Sequence, residues 1–162
     1  MADQKRALQA VLRTNFASFV HRVFLTVSPG DGYLHNWHID AIAYELAQVH
    51  GGEARRLLIT QPPRSLKSIC TSVAYVAWLL GHDPTLKIIC VSYSQDLALE
   101  LSRQFRMVVE SEWYQELFPK MRLKKSAGAE FVTTKGGGRV ATSIGGTLTG
   151  RGADYILSLI HI

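Results

Sequence analysis

Apolar positions along this chain recur first at helical spacing and later in short continuous runs, and that change lays out the expected elements. Leu8, Val11, Leu12 and Phe16 recur at helical spacing with Lys5, Arg6 and Arg13 off that face, so Met1 to Val27 is expected to be mainly helical. A turn follows at Ser28-Pro29-Gly30-Asp31-Gly32. From Tyr33 the chain runs into a helix through about Val49, with Ile39, Ile42, Ala43 and Leu46 inward, and Gly51-Gly52 stops it. Leu57-Leu58-Ile59 then reads as a strand leading into a loop (Gln61, Pro62, Pro63, Arg64, Ser65, Leu66), the pair Lys67-Ser68 and a long apolar helix.

Beyond a loop at Gly81-His82-Asp83-Pro84, Leu86 to Val91 is nearly all apolar, as a buried parallel strand should be. Ser92-Tyr93-Ser94 ends it, either as ligand contacts at a strand's carboxyl end or as a plain helix start. A helix from Gln95 to about Trp113 buries Leu97, Leu101, Phe105, Val108 and Val109, and Phe118-Pro119 closes it. Residues from Glu130 and from Arg139 form a β-hairpin around Lys135-Gly136-Gly137-Gly138. A glycine-rich loop, Gly145 to Gly152, precedes a buried strand from Tyr155 to Ile160. The pattern predicts an α/β fold with a mainly parallel sheet, preceded by a helical segment at 1–52, with the core at 53–162.

Composition narrows the class. At 162 residues and 47% hydrophobic content the chain supports one domain with a real core. No apolar run is long enough for a bilayer span, and the N-terminus has no signal-type apolar core, so no membrane partner and a cytoplasmic location are expected. Cys70 and Cys90 read as buried reduced thiols. The net charge of +5 permits a polyanionic partner. Lys120, Arg122, Lys124, Lys125, Lys135, Arg139 and Arg151 face a single acid, Glu130, so this stretch reads as a nucleic-acid surface or as a solvated basic face.

The order strand, loop, Lys-Ser, helix is the order of a nucleoside triphosphate site. A helix N-terminus presents unpaired N–H groups and partial positive charge to phosphate. Lys67 would reach the β- and γ-phosphates and the Ser68 hydroxyl would sit on Mg²⁺. Pro62 and Pro63 stiffen the turn, and Ser65 is placed to cap the helix. Against the pattern G-x-x-x-x-G-K-[ST], Gln61 and Leu66 stand where glycines belong; the alternative is an ordinary strand-to-helix turn. His35 and His38 lie i, i+3 apart without a third metal ligand nearby, and Trp37 serves either packing or a base pocket.

Several stretches in order resemble the large terminase subunit of tailed bacteriophages. They are Asn36 to Asp40, Ile59 to Ser68, Ala77 to Pro84, Val91 to Ser94, and Ser143 to Asp154 with its Thr149-Gly150-Arg151-Gly152-Ala153-Asp154. In that family P-P-R-x-x-K-S is the form of the phosphate loop, and leucine before the lysine also occurs. The resemblance implies a RecA-like P-loop ATPase domain of the additional-strand class, binding ATP and Mg²⁺ through Lys67 and Ser68 within the Gln61 to Ser68 loop. It implies Arg64 as a cis-acting catalytic arginine and Trp37 and His38 near the adenine. A loop bearing Thr147, Thr149, Gly150, Arg151 and Gly152 would couple ATP state to DNA or to a neighbouring subunit. The implied partners are double-stranded DNA, a small terminase subunit, a portal and a homo-oligomeric ring in a bacterial host cell; a nuclease domain follows in full-length members.

One departure bears on chemistry. In that family an apolar strand after Gly-Ala-Asp ends in paired acids, whereas here Ser158 and Leu159 stand about where they belong, and Asp154 precedes the strand. The expectation is a C-terminally truncated domain, poorly soluble, with weak ATP binding and negligible hydrolysis. Losing water activation alone costs on the order of 10²–10⁴ in rate. Another P-loop enzyme, such as a DNA helicase or a small-molecule kinase, and a non-catalytic DNA-binding remnant are the competing readings.

Overall fold

A computed structural model describes residues 2–146 and 150–159. The helical first segment is three helices, not two. Asn15 breaks the first stretch by accepting from Ser18 N at 2.8 Å, which caps α2 (Phe16–Val27) and ends α1 (Ala2–Thr14). Leu12 and Phe16 are buried as expected, while Leu8 and Val11 are exposed. α3 (Trp37–His50) buries Ile39, Ile42, Ala43 and Leu46.

The strand expected at Leu57-Leu58-Ile59 does not form. The segment is extended, with Leu57 and Ile59 packed on the core and Leu58 89% exposed, yet among the described residues it belongs to no hydrogen-bonded ladder. Its alternation comes from side-chain burial without strand pairing. The helix after the loop is present and buried from Cys70 to Gly81: a π-helical stretch, Ile69–Tyr75, runs directly into α4 (Val76–His82). At its start Thr71 Oγ1 donates to the Lys67 carbonyl at 2.8 Å. Gly81 and His82, expected in a loop, are helical. A Cβ on Gly81 would stand 2.5 Å from the Phe118 ring, so the aromatic packing requires glycine there.

The sheet holds five strands in the order β2-β3-β4-β1-β5. β1 (Lys87–Ser92) lies between β4 (Gly138–Ser143) and β5 (Tyr155–Leu159) and is parallel to both. β2 (Leu123–Ala127) and β3 (Glu130–Thr133) add antiparallel pairings, so the sheet is mixed, not mainly parallel. The short turns at Gly128 and Gly136 join these strands as hairpins, which only antiparallel neighbours permit. β5 lies at the edge and is half-exposed, contrary to the buried strand expected, with Ile156 70% exposed. α5 (Gln95–Val109) packs on β1 and β4, and the helix expected to reach Trp113 stops there; Ser111 starts a separate α6 (Glu112–Leu117). Among the described residues no helix is long and apolar enough to cross a membrane.

Candidate functional site

The 61–68 loop begins where the extended Leu57–Thr60 segment leaves the core and ends in the buried helix. Within it Arg64 and Leu66 hold positive φ, 63° and 60°, and they are the only non-glycine residues among those described that do so. A left-handed conformation costs an L-residue about 1–2 kcal/mol. Leu66 therefore adopts, at that cost, a backbone that a glycine adopts freely. Its side chain packs against the core, which helps to hold it there.

Besides the Thr71 bond to the Lys67 carbonyl, three further hydrogen bonds hold the loop. Lys67 Nζ folds back to the Gln61 carbonyl at 3.3 Å. Cys70 N–H donates to the Leu66 carbonyl at 2.8 Å. His38 Nε2 on α3 lies 3.1 Å from the Ser65 carbonyl, and since a carbonyl only accepts, this nitrogen carries the proton. Ser65 does not cap the helix: its Oγ is buried without a hydrogen-bond partner. Pro62, Pro63 and Arg64 are exposed. Trp37 is 75% exposed and stands edge-on to His38 at 6.5 Å between centroids. The structure thus brings Trp37, His38, Gln61, Arg64, Ser65, Leu66, Lys67 and Ser68 into one neighbourhood. His35 turns away, its Nε2 2.8 Å from Asp40 Oδ2, so the two histidines do not form a metal pair.

The helix behind the loop is anchored by hydroxyls. Tyr75 OH donates to the Leu46 carbonyl of α3 at 3.0 Å and Tyr114 OH to the Ala77 carbonyl at 2.6 Å. Burial pushes the Cys70 thiol up to about 12, so it is a neutral core group; both cysteines are free and buried. Ser68 offers one hydroxyl oxygen. No carboxylate joins it in a ligand set, and no group of three His, Cys, Asp or Glu residues converges among the described residues. Arg64 and Lys67 give the loop two cationic side chains, the chemistry that a polyphosphate would need, whereas a magnesium ion would take one protein oxygen, from Ser68, and the rest from phosphates and water.

The basic stretch is divided. Arg139 is fully buried, donates to Ser102 Oγ at 2.7 Å, and lies 5.3 Å over the Phe105 ring. Among the described residues its Nε and Nη2 have no hydrogen-bond partner, and the buried Cys90 thiol is a further neighbour that interacts with it. Arg151 and Lys125 both bind Glu130, the former at 2.7 Å. Lys120, Lys124 and Lys135 remain exposed. Gly150 and Gly152 are exposed beside Arg151, whereas Thr147 and Thr149 lie outside the described residues. At the carboxyl end of β1, Ser94 caps α5 by accepting from Leu97 N, so the plain helix-start reading holds for it. Asp154 sits at the opposite end of β5, where its carboxylate accepts from Lys87 N at 2.8 Å.

Sequence reasoning missed the His38 tie to Ser65, because side-chain reach across 27 positions carries no local signal. It also missed that Arg64 is left-handed beside Leu66. Comparison with family models, with curated proteins and with solved structures returns no match.

Proposed function

We propose that this chain binds the triphosphate of ATP on its 61–68 loop, as the nucleotide-binding part of a DNA-packaging motor of the large terminase type. The observation that carries the reading is the pair of left-handed residues, Arg64 and Leu66, immediately before Lys67 and a buried helix. Left-handed residues in such a loop turn backbone N–H groups into a concavity that suits phosphate oxygens. Lys67 adds a cation whose present acceptor, the Gln61 carbonyl, is exchanged readily for a phosphate. In this reading the α/β sheet is a RecA-like core of the additional-strand class. Magnesium arrives with ATP and meets Ser68, and it supplies charge neutralisation there.

What these residues do is bind and orient. Arg64, exposed in the loop, would meet the terminal phosphate, and the exposed Trp37 would offer a planar face to the base. Ser158, on β5 where the related acids stand, has no carboxylate with which to position water. The reading therefore has ATP bound and hydrolysis negligible. Duplex DNA, a small terminase subunit, a portal and a ring of copies are its further partners, within a bacterial host cell. The burial of Arg139 and the neutralisation of Arg151 weigh against a remnant that uses the basic stretch alone.

Photo-crosslinking with 8-azido-ATP, mapped by mass spectrometry, tests the placement. Label near Trp37, competed by ATP, is expected. Label confined to a separate surface groove, lined by Glu100, Arg103 and Arg106 of α5 and by Phe131 of β3, would contradict it.

A further inference from the structure

We infer that His38 is a positioning residue that holds the 61–68 loop in its phosphate-receiving shape, so that its contribution is to polyphosphate binding whatever base is attached. The inference rests on the reading that this loop receives phosphates, and it changes the role expected of His38 from an adenine neighbour to a clamp on the backbone.

Three observations carry it. First, the Ser65 carbonyl lies between the two left-handed residues, Arg64 and Leu66, so its direction is tied to the costliest backbone in the loop. Second, the His38 Nε2–H donates to that carbonyl at 3.1 Å. The other loop bonds are made from Lys67, Cys70 and Thr71, on the same stretch of chain, so His38 supplies the tie from a separate helix. Third, Lys67 must leave the Gln61 carbonyl to reach a phosphate, whereas the His38 bond can persist in the bound state. The first turn of α3 is fixed independently by Ile39 burial and by the Ile39 N–H bond to the Asn36 carbonyl at 2.9 Å. His38 therefore projects from a rigid base, and the exposed Trp37 next to it is left for the nucleoside.

A base contact and a backbone clamp differ in what they act on. A clamp affects ATP, GTP and a bare polyphosphate alike, since all three use the loop; a base contact affects only ligands with a base. Losing one hydrogen bond to a partly buried carbonyl predicts a weakening of about tenfold.

The test is titration of the purified chain with MgATP, MgGTP and magnesium tripolyphosphate, in wild type, His38→Leu, His38→Gln and Lys67→Ala. Leucine keeps the bulk and removes the donor; glutamine restores an N–H at similar reach. The expected result is an equal weakening of all three ligands in His38→Leu, about tenfold, with most of it recovered in His38→Gln. Unchanged tripolyphosphate affinity in His38→Leu would overturn the inference, as would a His38→Gln variant no better than leucine. If Lys67→Ala abolishes binding while His38→Leu does not weaken it, the clamp fails and the phosphate loop stands. If wild type binds none of the three, or if Lys67→Ala leaves binding intact, the phosphate reading falls and the clamp with it.

Discussion

Arg139 of β4 lies with its guanidinium carbon 5.3 Å above the ring of Phe105 on α5, wholly out of solvent and in no ion pair among the described residues. Its bond to Ser102 Oγ leaves Nε and Nη2 without a hydrogen-bond partner among the described residues. Buried charge of this kind is costly, and well-packed apolar replacements of similar volume are often neutral or stabilising. Ser102 keeps its own bond to the Ala98 carbonyl at 2.8 Å when the arginine is removed. Arg139→Met is therefore expected to unfold in urea at or above the wild-type midpoint. Arg139→Ala leaves a cavity and should lose about 2–5 kcal/mol. Equal losses in the two variants would mean that the guanidinium itself stabilises the fold.

Leu66 permits a test of backbone strain in the loop. Both Leu66→Ala and Leu66→Gly lose the packing of the side chain on the core, but only alanine still bears the left-handed penalty. Glycine is expected to be the more stable of the two by about 1 kcal/mol, the reverse of their order in a helix. Chemical denaturation of the pair measures it. Alanine at or above glycine would show that position 66 is not left-handed in solution.

Acid should weaken the fold in two stages. Partial burial against Trp78 and Phe118 holds the His82 imidazole below its usual value of 6.5; the hydrogen bond to the Arg13 carbonyl opposes this in part, and the charges of His50 and Arg13 add to the lowering. Hydrogen bonds from Lys125 and then Arg151 hold Glu130 below 4.5. In both cases the unfolded chain takes up a proton before the folded one does, so stability is present at higher pH and lost as pH falls. The first decline begins as pH drops through about 6.5 and the second below about 4.5. Urea midpoints from pH 8 to pH 3.5 should show both. Replacing His82 with phenylalanine is expected to flatten the first limb, and Glu130→Gln the second.

The chain's periodicity made α2, α3, α5, β1 and the β3–β4 hairpin legible, because each buries one regularly spaced face or one continuous run. The breaks at Asn15 and Ser111 interrupt apolar patterns that continue across them. Their only signals are the capping Asn15 and a serine at the N-cap position of α6, Ser111, whose hydroxyl donates back to the Val108 carbonyl instead of capping. β2 is polar on the outside and carries an irregularity between Leu123 and Lys125, so its alternation is blurred. Leu57-Leu58-Ile59 has the right residues for a strand, but a ladder also needs a neighbour, which no local pattern reports. In the site, Lys67 and Ser68 were visible as residue types. The left-handed backbone at Arg64, the diversion of Arg139 into the core and the capture of Arg151 by Glu130 depend on tertiary contacts.

The central claim is that the 61–68 loop is a phosphate cradle built around Lys67. Calorimetric titration of MgATP into the wild-type chain and Lys67→Ala, with ATP turnover followed in the same samples, tests it most directly. Saturable binding to wild type, lost in Lys67→Ala and without turnover in either, is the predicted result. Binding that survives Lys67→Ala, or steady hydrolysis that Lys67→Ala abolishes, would contradict the account: the first removes the cradle, and the second removes the argument that this chain binds ATP without the groups to cleave it.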